Sequence, residues 1–145
     1  MKTIRTEITI HAPVEKVWDV LMNFGGYENW NPFIRIIGKP MKGQKLENII
    51  FMKGGKTQKF TPTILEVSRH KSFRWEGHLY VKGLFDGEHC FELESIDEQA
   101  TKFKHYEHFR GVMAGPVLKL IGKDTKKGFE SMNMALKKYC ESSKK

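Results

Sequence analysis

The chain has 145 residues, a hydrophobic fraction of 39%, an aromatic fraction of 12% and a formal net charge of +8 at pH 7. That length is one domain, 1–145, able to bury roughly 70% of its unfolded surface, so disorder and any need for a disulfide or metal staple are excluded. No stretch nears the roughly 20 apolar residues of a membrane span, the alternating start lacks a secretion signal's apolar core, and Cys90 and Cys140 have no CxxC spacing; a reduced, soluble, cytoplasmic protein is expected.

Ile4, Thr6, Ile8 and Ile10 alternate with Arg5, Glu7, Thr9 and His11, which predicts a half-buried strand over 3–11. Pro13 then opens a helix, where its missing N–H costs little. Val14, Val17, Trp18 and Leu21 carry its apolar face, and Glu15 sits in its first turn. Gly25-Gly26 interrupts that helix, and 27–30 form a further turn before Asn31-Pro32. Strands are predicted over 34–38, 45–53, 57–68, 72–82, 85–96 and 101–111, with Gly54-Gly55 as a hairpin turn and Asp97-Glu98-Gln99 as a tight polar turn. Pro62, inside 57–68, signals an edge or a bulge.

Gly115-Pro116 starts the last element, with 113–116 read as a loop running into it. Val117, Leu118, Ile121, Phe129, Met132, Leu136 and Tyr139 mark one stripe of a long helix ending near Cys140. Short connections make the sheet antiparallel, and only this helix is large enough to cover its apolar face. The charge excess is concentrated here: eight lysines against three acids from Pro116 onward. Their spacing opposite the apolar stripe predicts a solvated helix face and not a nucleic-acid surface, since no recognised binding motif accompanies them.

The run Ala12-Pro13, Glu15, Val17-Trp18, Leu21, Phe24, Tyr27, Trp30-Asn31-Pro32-Phe33 resembles the opening of the START-like, or SRPBCC, superfamily. Leu84-Phe85-Asp86-Gly87-Glu88-His89 with Phe91 and Leu93, and then His105, Glu107, Phe109 and Gly111, resemble one bacterial subgroup of it. The resemblance covers the whole chain. It implies an α+β helix-grip fold, a seven-stranded antiparallel sheet wrapped around the C-terminal helix, with a cavity between the two. Relatives bind lipids, sterols, plant hormones or polyketides there; some are aromatase/cyclases, and one branch stimulates the Hsp90 ATPase.

Strand alternation puts Phe85, Gly87, His89, Phe91 and Leu93 on one face, and Thr101, Phe103, His105, Glu107, Phe109 and Gly111 on one face of the next strand. These apolar faces should meet the helix. Asp86, Glu88, Glu92, Glu94, Lys102, Lys104 and Arg110 should face solvent and form cross-strand pairs. A turn centred near Glu98 sets His89 opposite Glu107 and Phe91 opposite His105. Three ionisable groups, His89, His105 and Glu107, therefore lie on an apolar face and must be paired or shift their protonation. They orient a ligand, act as general acid and base, or form a structural network; all three readings stay open. Metal binding is not expected, because no further ligand or usual spacing accompanies them.

Phe73, Trp75, Leu79 and Val81 read as an inward strand face, and Trp18 as core. Trp30 and Phe33 read as plain core by default or else as the lining of a cavity entrance, and Phe51 and Phe60 flank the Gly54-Gly55 turn, as a mobile mouth if exposed and as core if buried. With Phe85, Phe91, Phe109, Met113, Phe129 and Met132 they complete the expected cavity lining, although Trp75, Phe91, Phe103 and Phe129 are large enough to fill it. No phosphate-cradling glycine loop or GxSxG elbow is present, so no cofactor is expected. Cys90 falls on an outer strand face, where its oxidation would be a surface event. A small apolar ligand is the expected partner, as monomer or homodimer. A cyclase/dehydratase using His89, His105 or Glu107 is the alternative, and a partner-binding regulator a third.

Overall fold

The computed structural model describes residues 2–78 and 82–142. Strand β1 (Lys2–Ile10) is followed by helix α1 (Val14–Met22) and a 3-10 helix (Phe24–Asn29). Then come β2 (Ile34–Ile37), β3 (Glu47–Phe51), β4 (Thr57–Phe60), β5 (Thr63–Ser68), β6 (Ser72–His78), β7 (Asp86–Asp97) and β8 (Ala100–Arg110), and finally helix α2 (Ala114–Ser142). Among the described residues the strands form two antiparallel sheets, β1-β8-β7-β6-β5 and β2-β3-β4. This is the expected α+β architecture with one detail changed: eight strands, not seven. Proline cannot continue a strand ladder, and the predicted strand 57–68 breaks at Thr61-Pro62 into β4 and β5, which belong to different sheets. No helix among the described residues is long and apolar enough to cross a membrane.

Local chemistry explains the boundaries. Pro13 stands just before α1 in extended conformation, and Val17, Trp18 and Leu21 bury its apolar face. The turn after α1 is pinned from inside: the buried Tyr27 hydroxyl donates to the Leu21 carbonyl at 2.7 Å, and Asn31 Oδ1 accepts from the Phe33 and Ile34 N–H groups. Gly54 and Gly55 take positive φ between β3 and β4, as the hairpin requires. Asp97 Oδ1 accepts from the Gln99 N–H and closes the β7–β8 turn. That turn sets the register His89↔Glu107 and Phe91↔His105, as the sequence predicts.

Helix α2 starts at Ala114, so 114–116 form its first turn and not a loop. Its apolar stripe changes character along its length. Phe129, Met132, Leu136 and Cys140 are fully covered, while Val117, Leu118 and Ile121 on the same face are only half-buried. Tyr139, assigned to the stripe by spacing, turns out toward Trp30, with ring centroids 6.2 Å apart. Lys119, Lys123, Lys126, Lys127 and Lys138 lie on the exposed face.

The two glycines of α2 predict opposite effects. A Cβ at Gly122 meets nothing, so Gly122→Ala should gain the helix-propensity difference of about 1 kcal/mol. A Cβ at Gly128 would lie 2.5 Å from the Phe33 ring, which is itself held against Phe129. Gly128→Ala should therefore lose about 1–3 kcal/mol from overpacking despite the same propensity gain. Urea unfolding of the two variants reads the sign directly.

Candidate functional site

β6, β7 and β8 lie side by side, and alternation turns Trp75, His89, Phe91, Phe103 and His105 toward α2. The covered half of α2 meets them there. Phe129 stacks on the His105 ring at 4.2 Å and meets the His89 ring at 5.0 Å and the Phe33 ring at 5.6 Å. His89 stacks on Trp75 at 4.8 Å. At this level the space between sheet and helix is filled by side chains, with Met132 and Leu136 completing it.

Two glycines hollow the sheet beside this packing. Gly77 and Gly87 are register partners on β6 and β7. The Phe60 ring occupies the space over Gly77, and the Glu107 carboxylate that over Gly87, so closely that a Cβ there would collide with Glu107 Oε2.

A hydrogen-bonded chain runs through the polar residues. Thr6 Oγ1 donates to the His105 carbonyl at 2.7 Å and accepts from Asn133 Nδ2 at 2.8 Å. Asn133 Oδ1 lies 2.8 Å from His105 Nδ1, His105 Nε2 lies 2.7 Å from His89 Nε2, and His89 Nδ1 lies 3.1 Å from Glu107 Oε1. Thr6, Asn133, His105 and His89 are buried, whereas the Glu107 side chain keeps 17% of its surface. Burial, then the neighbouring His89, push the His105 pKa well below the usual histidine value, against its hydrogen bonds to Asn133 and the Phe129 carbonyl. His105 is thus a neutral imidazole. The three ionisable residues read from strand alternation meet as one chain, completed by Thr6 and Asn133. Strand alternation puts Thr6 on the face of Ile4, Ile8 and Ile10 but names no partner for it. Asn133 went unread, although it interrupts the apolar stripe between Met132 and Leu136 and so stands where a buried polar residue needs a partner.

The other expected lining residues spread along the structure. Phe33, Phe91, Phe129 and Met132 are in the filled core, and Phe109 is buried against Phe85 with parallel rings 5.4 Å apart. Phe60 and Phe85 are half-buried, Phe51 is exposed beneath the Arg35 guanidinium, and Met113 is exposed. Trp30 is apart from the chain of polar residues, between Tyr27 and Tyr139. It lines a groove of about 610 Å³ over α1 with Val20 and Tyr139 as well as Glu15, Lys16 and Asp19, and that groove does not include the His89–Glu107 cluster. Leu79 and Val81 lie outside the described residues. Asn48 on β3 is a further residue the sequence reading missed: its whole amide is buried without a hydrogen-bond partner among the described residues.

Two outer-face expectations need correction. Asp86 is buried, not solvated. Burial works to raise its pKa, but the His78 ring, 2.9 Å away, and the Gly83 N–H hold it below the ordinary value. Cys90 is on the outer face but only 3% exposed, beside Arg74, Glu88, Glu92 and Tyr106. Arg74 bonds Glu88 at 2.5 Å, and the Tyr106 hydroxyl bonds Glu92. Burial, then Glu88, push the thiol up to about 12, so oxidation there is not the surface event its strand position suggests.

A family model described as polyketide cyclase / dehydrase and lipid transport matches residues 1–141. No protein with a curated description matches. Several solved structures share the fold. The ZhuI aromatase/cyclase from Streptomyces sp. R1128 superposes with a TM-score of 0.77 at 13% identity, over 97% of this chain and 93% of that one. Ara h 8.0201 gives 0.75 at 18% identity over 98% and 99%, and a START superfamily protein from Mycobacterium smegmatis 0.72 at 15% identity over 97% of both.

Proposed function

The chain belongs to the polyketide cyclase / dehydrase and lipid transport family, and from that premise we propose that it binds a small apolar ligand between the sheet and the first half of α2. One observation carries this reading. The apolar stripe of α2 is fully covered at Phe129, Met132 and Leu136 but only half-covered at Val117, Leu118 and Ile121. Protein side chains thus fill one end of the helix–sheet interface, and a ligand completes the other. Ile4, Phe60 and Phe85, also half-buried, supply further apolar surface. Glu107 stands beside this region with part of its carboxylate open and gives it a polar point for orientation.

Binding of N-phenylnaphthylamine, a neutral fluorescent apolar probe, tests the site. Ile121→Lys should weaken it at least about tenfold, because it puts a charge among apolar groups, with the unfolding midpoint nearly unchanged. Equal binding by wild type and Ile121→Lys would place the ligand elsewhere.

A second reading, a cyclase/dehydratase-like enzyme, draws on the same open carboxylate. Glu107 would be the general base, with His89 and His105 as positioning residues behind it. Glu107→Gln would then abolish turnover and leave probe binding intact.

A further inference from the structure

The hydrogen-bonded chain has a direction, and that direction fixes what Glu107 offers a ligand. It starts at a group that can only accept, the His105 backbone carbonyl, so the Thr6 hydroxyl proton is committed to it. Asn133 must then donate to Thr6 through Nδ2 and present Oδ1 to His105. His105 Nδ1 therefore carries a proton. The ring is neutral, so its Nε2 is a bare acceptor, and the facing His89 Nε2 must be protonated. One contact remains, His89 Nδ1 to Glu107 Oε1. Without a proton it would set a lone pair against a carboxylate oxygen; with one it is a hydrogen bond, whether the proton rests on nitrogen or oxygen. In either case the proton lies on the Oε1 side. Glu107 Oε2 has no hydrogen-bond partner among the described residues, and glycine at position 87 leaves it room.

We infer that Glu107 Oε2 is a fixed hydrogen-bond acceptor that selects, within the ligand site proposed above, apolar molecules bearing a neutral hydroxyl, such as a phenol or an alcohol. A ketone has no hydrogen to give it. A carboxylate likewise has no hydrogen to give it, sets lone pairs against lone pairs and is rejected.

Four probes of one shape test the selection: naphthalene, naphthol, acetylnaphthalene and naphthoate, titrated calorimetrically. Naphthol should bind at least about tenfold more tightly than naphthalene, with acetylnaphthalene near naphthalene and naphthoate weakest. Glu107→Gln reads the direction of the chain. With His89 Nδ1 as an acceptor, the new amide turns its NH₂ inward and its oxygen toward the ligand, so the naphthol preference survives at reduced size. With the opposite direction the NH₂ would face the ligand and the preference would move to acetylnaphthalene, which overturns the direction on which the inference rests. Glu107→Leu should erase the preference while naphthalene still binds. If all four probes bind wild type equally, the selection fails alone; if none binds, the ligand site fails and takes the selection with it. Ring-nitrogen NMR checks the direction without any ligand. His105 should show a protonated Nδ1 and a bare Nε2, and the reverse tautomer would overturn the assignment.

Discussion

Phe129→Ala should lower the free energy of unfolding by about 3–5 kcal/mol, the range for removing a buried phenylalanine side chain. The ring is fully buried and packs between the two sides of the structure: Phe33 leading into β2, His89 and His105 on the main sheet. Its neighbours cannot collapse into the space, because His89 and His105 are fixed by hydrogen bonds to each other and to Glu107 and Asn133. The loss should therefore fall toward the upper end of that range. Urea unfolding measures it, and a loss below about 1.5 kcal/mol would mean that α2 settles onto the sheet and refills the gap. Phe129→Leu keeps most of the volume and should recover more than half of the loss.

Acid should destabilise the protein through His105. An unfolded histidine takes up a proton below about pH 6.5, whereas the folded ring, buried and beside His89, resists protonation. The unfolded state then binds more protons than the native state, and stability falls with pH. It is complete above about 6.5 and drops by about 1.4 kcal/mol per unit below it, until the folded ring titrates. Over two units the cost is roughly 2.7 kcal/mol, a large share of the 5–15 kcal/mol of an ordinary domain. His105→Gln removes the titrating group. Unfolding free energies of wild type and variant between pH 7 and 5 should converge as the pH falls, by about 1.4 kcal/mol per unit below 6.5. Parallel curves would show that the native ring takes up its proton in this range.

Why some of this was readable in the sequence, and some not, follows from how local each signal is. The β7–β8 register needs only a tight turn and period-two alternation, so the pairing of His89 with Glu107 is legible from a dozen residues on each side. Asn133 reaches Thr6 and His105 across 127 and 28 positions of sequence, and no pattern within a helix announces such a contact. Asn48 shares a strand face with Ile50, but alternation does not report that its amide goes without a partner. Trp30 follows a six-residue 3-10 helix too short to carry periodicity, so its position over α1 depends on how that helix docks. Asp86 and Cys90 were placed on the correct face, yet burial there comes from neighbouring side chains that cover the outer surface, which facing alone does not encode.

The change of burial along α2 amounts to a division of labour within one rigid rod. Its later turns clamp the helix to the sheet and carry the packing that holds the fold together. Its earlier turns are less completely covered, and on the reading proposed above their partly open apolar surface is where a guest would make its contacts. On that reading, substitutions at 117, 118 and 121 would reshape what the protein accommodates with little cost to folding, while those at 129, 132 and 136 would not. On the same reading, binding specificity and conformational stability would be free to evolve at separate ends of a single helix.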